Sequence, residues 1–284
     1  HFLPQTWWEM VDKPELMSPP DWNRLVDRFD VTAVVDQLQE VRAGYLLLSL
    51  GQNSGYYLAP NPVYDQCCGY HAGDRCATRD LPADLYQVLA QHDMKLMFYL
   101  PVLMNQLRHN DREAARKLGL ERETPVKKQP PPDEFVERWA AVIQWWSEHY
   151  GEKLAGWWFD GGGRCRLAQQ ERLARAAKHG NPDAIICLGE CGDYIHGHCA
   201  LAHHRIEDPE WFGRLDWEVQ KERMPNGRFT EDGQQWHALL HFGEHWWDRD
   251  GFYDAETELE YTRAVIRNAG VVTWDCGPNI GRSE

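Results

Sequence analysis

The segment LAGWWFDGGGR, residues 154–164, joins an apolar, aromatic run to an aspartate and three consecutive glycines. A short apolar run that is bounded by turn-forming residues is typical of a buried β-strand. Asp160 therefore stands at the end of this strand, and the glycines after it add no side chains that would fill the space nearby. We expect a central strand whose terminal carboxylate faces an open space.

Further short apolar runs alternate with longer stretches that have helical periodicity. The clearest of these runs span 43–50, 95–100, 184–188, 235–240 and 270–274, and weaker patterns place a first strand around 2–8 and another near 201–206. Helices are predicted from Asp133 onward, over TRDLPADLYQVLAQ (78–91) and over ETELEYTRAVIRNAG (256–270). Such alternation is the pattern of a parallel sheet covered by helices.

Chain length and the polar residues near the strand ends favour a closed barrel over an open sheet. Barrels of the (β/α)8 TIM type commonly form one domain of about 250 residues, and this chain has 284. No Gly-x-Gly-x-x-Gly turn follows an early strand, as it would in an open dinucleotide-binding sheet. We predict an α/β fold with a single (β/α)8 barrel domain over residues 1–284. Its carboxyl-end rim is expected to carry Gln52, Asn53, Asp160, Glu190, His237 and Asp275.

The composition argues against several classes of partner. The formal net charge of −14 repels nucleic-acid phosphates and anionic lipid surfaces. No apolar run approaches the roughly 18 to 20 residues that cross a bilayer, so we expect neither a nucleic-acid partner nor a membrane partner. The chain begins at His1, from which we expect a processed product; a secreted or periplasmic location stays open, as does the oligomeric state.

Asp160 allows two interpretations. A carboxylate in an aromatic-walled pocket is suited to attack the anomeric carbon of a sugar, or to form an ion pair with it, because positive charge develops there in the transition state. Alternatively, Asp160 caps the following helix through backbone amides, and Gly161 to Gly163 form an ordinary turn.

Five segments resemble, in chain order, the catalytic barrel of the alpha-L-fucosidase-like glycoside hydrolases of family 29. They are GYYLAPNPVYDQCCGYHAGDRCATRDLPADLYQVLAQHDMKLMFYLP (55–101), GWWFDGGG (156–163), NPDAIICLGE (181–190), GQQWHALLHFGEHWW (233–247) and GVVTWDCGPNIG (270–281). The resemblance spans most of residues 43–281. It implies that Asp160 is the nucleophile of a retaining mechanism.

The chain departs from this family at two places, as a divergent bacterial branch would. Where family members carry KHHDGF, this chain reads GQNSGY (51–56), so that Gln52 and Asn53 replace two sugar-binding histidines. Amides still donate to and accept from hydroxyls, but they do not titrate near neutral pH. The replacement favours another deoxysugar or a galactose-like sugar over L-fucose, and a hydrogen-bonded loop pair without a ligand is the alternative. QTWWEM (5–10) stands where the family has HWG.

A retaining glycosidase also needs a second, protonated carboxyl group about 5 to 5.5 Å from the nucleophile. Glu218 in LDWEVQ is the first choice, because it stands where fucosidases carry an acidic loop. Glu207, in an acidic stretch, and Glu190, at a strand end, are further candidates. For each of them a solvated surface acid is the alternative interpretation.

Aromatic and polar residues near the predicted rim are candidates for substrate binding. Tryptophan offers a flat face for a sugar, and a neighbouring polar side chain fixes its hydroxyls. Core packing, capping and structural ion pairs are the alternative roles. The candidates, besides Gln52 and Asn53, are Tyr57, Trp158, Arg164, Trp236, His237, Trp246 and Asp275.

The segment CLGECGDYIHGHCALAHH, residues 187–204, carries seven cysteines and histidines. Zinc takes such ligands, and a zinc-bound hydroxide would support a different hydrolytic mechanism. The spacing fits no standard C-x-x-C or H-E-x-x-H pattern. A disulfide from Cys191 or Cys199 to Cys67, Cys68 or Cys76 is the alternative. The sequence therefore predicts an exo-acting, retaining glycoside hydrolase with a carbohydrate substrate and neither metal nor cofactor. A catalytically silent carbohydrate-binding barrel and a metal-dependent enzyme are the alternatives.

Overall fold

Seven parallel strands form the centre of the protein. The computed structural model describes residues 19–52, 54–102, 111–120, 130–189, 199, 201–207, 221–230, 232–242 and 254–275. These residues form one sheet whose strands follow each other in chain order. The strands are β1 (Tyr45–Ser49), β2 (Lys95–Pro101), β3 (Leu154–Asp160), β4 (Ile185–Gly189), β5 (His204–Glu207), β6 (Gln235–His241) and β7 (Val271–Asp275).

The predicted parallel sheet is thus confirmed, and every strand predicted between residues 43 and 274 has an observed counterpart. The weak pattern near 201–206 corresponds to β5, which pairs with β4 and β6. The strand expected around 2–8 lies outside the described residues. Sequential parallel order requires a crossover between neighbouring strands, and helices supply most of these connections.

Eight α-helices lie within the described residues. Three were predicted: those beginning at Leu81, Asp133 and Ala255. Asp80 caps the first of them through its side chain, which accepts from the backbone of Ala83. The helices are α1 (Pro19–Asp27), α2 (Val31–Glu40), α3 (Pro62–Cys68), α4 (Leu81–Leu89), α5 (Arg112–Leu118), α6 (Asp133–Tyr150), α7 (Leu167–Ala177) and α8 (Ala255–Arg267). Within the described residues, none of them has the length and apolarity that a bilayer crossing needs.

Alternation along the strands directs side chains to two different apolar regions. On β3, Trp157 and Phe159 point to the outer face and pack in the large core under the helices, where Trp139 of α6 also lies. Trp158 points to the inner face and packs with Tyr99, Cys187 and other side chains there. Both faces of the sheet are therefore buried, which explains why the strand sequences read as nearly continuous apolar runs.

The sheet is curved so strongly that its first and last described strands meet. The hydroxyl of Tyr45, the first residue of β1, donates to the backbone oxygen of Val272 in β7 at 3.0 Å and lies 2.5 Å from Thr273 Oγ1. The ring of Tyr45 therefore spans the interior between the two strands. A flat sheet would separate strands at its opposite edges by about 29 Å, since neighbouring strands lie about 4.8 Å apart.

Candidate functional site

The carboxylate of Asp160 is held by a chain of hydrogen bonds that begins on another strand. Asp160 ends β3 and is partly exposed. Tyr99 Oη of β2 donates to Asp160 Oδ2 at 2.7 Å, and Gln52 Nε2 donates to Tyr99 Oη at 2.5 Å. Because Tyr99 is only 3% exposed, its phenol is fixed by packing and in turn fixes the orientation of the carboxylate.

The glycines after Asp160 allow the chain to turn, and not all of them leave open space beside the carboxylate. Gly161 has a φ of 74°, a left-handed conformation that glycine adopts without strain. Gly162 is buried, and a Cβ atom there would come within 2.7 Å of Leu188 Cδ2. The expectation that all three glycines leave room beside Asp160 therefore needs correction at Gly162, which packs closely against β4.

Helix capping does not explain Asp160. The next α-helix, α7, has Arg166 as its N-cap, six residues further along the chain. The short helical turn Gly162–Arg164 begins after Gly161 and has no side-chain cap. The carboxylate of Asp160 accepts a hydrogen bond from a tyrosine on the neighbouring strand.

Trp158 lies on the inner face two residues before Asp160. Its ring packs edge-on against Tyr99, with centroids 4.7 Å apart, and the side chain is 8% exposed. Within the described part of the chain its Nε1 is buried without a hydrogen-bond partner, and it lies close to Gly189 at the end of β4. A buried N–H without an acceptor is costly, so this donor is a polar group that the described contacts leave unsatisfied.

The predicted acid/base candidates are described only in part. Glu218 and Glu190 lie outside the described residues, as do Asn53 and Trp246. Glu207 is the last residue of β5 and so belongs to the carboxyl edge by its backbone.

Two further groups at the carboxyl edge face each other across neighbouring strands. His241 of β6 is the register partner of Asp275 of β7. Burial raises the pKa of Asp275, and the nearby His241 opposes that rise. Asp275 was predicted as a substrate-binding residue, whereas His241 was missed, although its place at the end of an alternating strand signals an inward direction.

Two predicted substrate-binding residues belong to the core instead. Tyr57 is fully buried, and its ring packs against Tyr64, Trp139 and Trp146 at centroid distances of 4.8, 5.9 and 5.4 Å. Trp236 is 3% exposed and packs on the outer side of β6 with residues of α8. Neither ring is open to a sugar, because helices and neighbouring side chains cover both. Arg164 lies in the turn directly after β3 and is partly exposed.

His237 lies on the inner face, in a cluster with Cys187 and His204. His237 Nδ1 is 3.5 Å from His204 Nδ1 and 4.0 Å from Cys187 Sγ. Burial and, to a smaller extent, the nearby His204 together lower the pKa of His237 to about 3. Burial also lowers the pKa of His204 to about 4. Both imidazoles are therefore neutral at physiological pH.

Neither of the two described cysteines of the segment 187–204, Cys187 and Cys199, forms a disulfide with α3 or with the loop after it. Cys199 is a free thiol, as are the three possible partners that were considered for it. Cys191 lies outside the described residues. The described free cysteines are Cys67, Cys68, Cys76, Cys165, Cys187 and Cys199.

Comparisons with known proteins identify relatives through structure. No protein-family model matches the chain, and no curated protein does. Among solved structures, endo-fucoidan hydrolase MfFcnA4 of glycoside hydrolase family 107 is similar with a TM-score of 0.68 and 15% identity, over 95% of this chain and 50% of that one. MfFcnA9 of the same family is similar with a TM-score of 0.70 and 14% identity, over 96% of this chain and 60% of that one. Alpha-L-fucosidase isoenzyme 1 from Paenibacillus thiaminolyticus is similar with a TM-score of 0.58 and 15% identity, over 89% of this chain and 58% of that one.

These similarities establish the fold. The chain shares the fold of fucose-active glycoside hydrolases, which agrees with the resemblance found in the sequence. It spans about half the length of the endo-fucoidan hydrolase MfFcnA4.

Proposed function

We propose that the protein is a retaining glycoside hydrolase that releases a terminal fucose-like, other deoxy or galactose-like sugar from an oligosaccharide or glycoconjugate. The observation that carries this proposal is the position of Asp160, which ends a central strand and accepts a hydrogen bond from a buried tyrosine. The structural neighbours support the glycosidase part of this proposal, because they are named as endo-fucoidan hydrolases and alpha-L-fucosidases.

The proposal includes a single (β/α)8 barrel domain. Seven strands of the sheet follow the barrel order, and the Tyr45 hydroxyl connects β1 to β7. An eighth strand from residues 2–8 would complete the ring between them. In such barrels the reacting residues stand at the carboxyl ends of the strands, where Asp160 is placed.

In the proposed mechanism the Asp160 carboxylate attacks the anomeric carbon while a second acid protonates the departing glycosidic oxygen. The glycosyl ester that forms is then hydrolysed by water, with the second group acting as base. Tyr99 holds the attacking carboxylate in place, Gln52 orients Tyr99, and Trp158 lines the same inner face as a proposed substrate-binding residue. Glu218 remains the first choice for the acid/base, and His241 and Asp275 are the described groups at the same edge.

The proposed function is tested by hydrolysis of a panel of nitrophenyl glycosides together with the polysaccharide fucoidan. Release of nitrophenol from an α-fucoside, another deoxyglycoside or a galactoside is the expected result. Shortening of fucoidan without any nitrophenol release would replace the exo-acting assignment with an endo-acting one. Sugar affinity without turnover of any substrate would support the carbohydrate-binding barrel instead.

The acid/base group is identified by its dependence on the leaving group. Replacing it should slow hydrolysis of an unactivated glycoside by about 10²- to 10⁴-fold, but should hardly affect a dinitrophenyl glycoside, whose leaving group needs no proton. We expect this pattern for Glu218→Gln. The same measurements on Asp275→Asn and His241→Gln serve as comparisons, and the pattern in either of them would move the assignment there.

Removing the hydrogen bond to Asp160 should weaken catalysis without abolishing it. A hydrogen bond to a charged group contributes about 1.5 to 3 kcal/mol, so we expect Tyr99→Phe to lower kcat/KM by roughly 10- to 100-fold. The ring is kept, and so is its packing against Trp158. Tyr86→Phe, on α4 and away from the site, is the matched control. An unchanged kcat/KM in Tyr99→Phe would show that the phenol does not position the carboxylate.

A further inference from the structure

We propose that Cys187, His204 and His237 form a binding site for a zinc-class divalent metal ion on the inner face of the sheet. Each residue comes from a different strand: Cys187 from β4, His204 from β5 and His237 from β6. One ligand atom from each residue lies within 4.8 Å of the other two. The site does not depend on the proposed glycosidase activity.

Two of the three separations between the candidate ligand atoms are close to those of a tetrahedral zinc site, and the third, between Cys187 and His204, is no more than 4.8 Å. Bonds of about 2.05 Å to nitrogen and 2.3 Å to sulfur at tetrahedral angles place two nitrogens about 3.4 Å apart and nitrogen and sulfur about 3.6 Å apart. The observed distances are 3.5 Å between the two Nδ1 atoms and 4.0 Å from His237 Nδ1 to Cys187 Sγ. Small rotations of buried side chains are therefore enough to bring all three atoms onto one ion.

The hydrogen-bond partners of His237 leave its Nδ1 free to coordinate. Tyr45 Oη donates to the Val272 carbonyl at 3.0 Å. Its one proton is used there, so its oxygen accepts from Thr273 Oγ1. The Thr273 hydroxyl oxygen then accepts from the Nε2–H of His237. This order of donors places the histidine proton on Nε2 and directs the Nδ1 lone pair toward Cys187 and His204, as outer hydrogen bonds do for metal-ligating histidines.

The ligand types select the class of ion. One thiolate and two neutral imidazoles favour zinc or another soft transition metal over Mg²⁺ and Ca²⁺, which prefer oxygen ligands. Of the three residues, His204 is the one that is partly exposed, and Cys187 and His237 are buried. A bound ion would link β4, β5 and β6, and Cys187 packs in the same inner cluster as Tyr99 and Trp158. The ion would thereby stiffen the layer on which the Asp160 site rests.

The test is a zinc and cobalt titration of the full chain after treatment with EDTA, in the presence of a reductant that does not bind metal. We expect one equivalent of Zn²⁺ to bind and to raise the melting temperature. Co²⁺ should produce an intense thiolate-to-cobalt absorption band that Cys187→Ala lacks. Removal of a ligand in Cys187→Ala or His204→Ala should weaken zinc binding by more than about 100-fold. This exceeds the loss of affinity that is typical when a residue hydrogen-bonded to a metal ligand is replaced.

Matched controls separate coordination from packing and from other ligands. His203→Ala removes the adjacent histidine, whose Nδ1 accepts from the Ile186 amide, and Cys165→Ala removes another buried thiol; both should keep their zinc. Thr273→Val should weaken zinc binding by about 10- to 100-fold, because it removes the shorter hydrogen bond of Nε2 and leaves Tyr45 Oη, at 3.2 Å, as its acceptor. The circular dichroism of the metal-free variants should match that of the parent chain.

Two results would overturn the proposal. One is a parent chain that binds no stoichiometric zinc. The other is a Cys187→Ala variant that binds zinc as tightly as the parent, with binding lost instead in Cys191→Ala; the ion would then belong to another part of the segment 187–204.

Discussion

Asp160→Gly should abolish hydrolysis of an aryl glycoside, with a loss in kcat on the order of 10⁴-fold or more, as removal of a covalent nucleophile produces in other hydrolases. The reason is that no other described side chain on β3 could replace the carboxylate that Tyr99 orients. Azide should restore turnover, because it fits the space left by the carboxylate. Product analysis should identify a glycosyl azide whose anomeric configuration is opposite to that of the substrate.

A matched control separates loss of the nucleophile from damage to the fold. Asp93→Gly makes the same replacement at an exposed position with a φ of 55°, where glycine is readily accommodated, and it should leave kcat unchanged. Asp160→Asn keeps the size of the side chain, and in a single-turnover measurement it should be as inactive as Asp160→Gly. Full activity in either Asp160 variant would end the assignment of Asp160 as the nucleophile, and with it the proposed retaining mechanism.

Tyr57→Ala should lower the free energy of unfolding by about 3 to 5 kcal/mol, as truncation of a large buried aromatic side chain does. The ring of Tyr57 is fully buried and touches the rings of Tyr64, Trp139 and Trp146. Removing it leaves a cavity between α3, α6 and the loop after β1. Denaturant unfolding followed by tryptophan fluorescence measures the loss.

The same position distinguishes a core role from a substrate-binding role. Tyr57→Phe keeps the ring and nearly the same volume, so we expect it to change stability by less than about 1.5 kcal/mol and to leave KM unchanged. A large rise in KM in Tyr57→Phe, without a loss of stability, would instead mean that the phenol reaches a ligand.

Local patterns in the sequence were sufficient to place the strands. Strand periodicity and turn residues depend on neighbours in the chain, and each observed strand from β1 to β7 lies at a predicted apolar run or at most a few residues from it. The same patterns put Asp160 at the end of β3. The parallel arrangement also follows, since alternating helices and strands leave few other ways to cover both faces.

Contacts between distant parts of the chain decided the site itself. Tyr99 and Asp160 are 61 residues apart, and only the register between β2 and β3 brings them together. In the sequence, Tyr57 lies in a predicted loop near polar residues, which indicated a substrate-binding role. In the structure, the packing of α3 and α6 encloses its ring. Likewise, the density of cysteines and histidines in residues 187–204 indicated a metal site within that segment. In the structure, Cys187 and His204 of this segment lie beside His237, which belongs to β6.

The order of the elements, the parallel sheet and the carboxylate at the end of a central strand can all be predicted from the amino-acid sequence, because they depend on short-range periodicity. The hydrogen-bonded chain of Gln52, Tyr99 and Asp160 and the cluster of Cys187, His204 and His237 become visible only in the folded protein. They depend on strand register and sheet curvature, which are set by the packing of residues far apart in the chain.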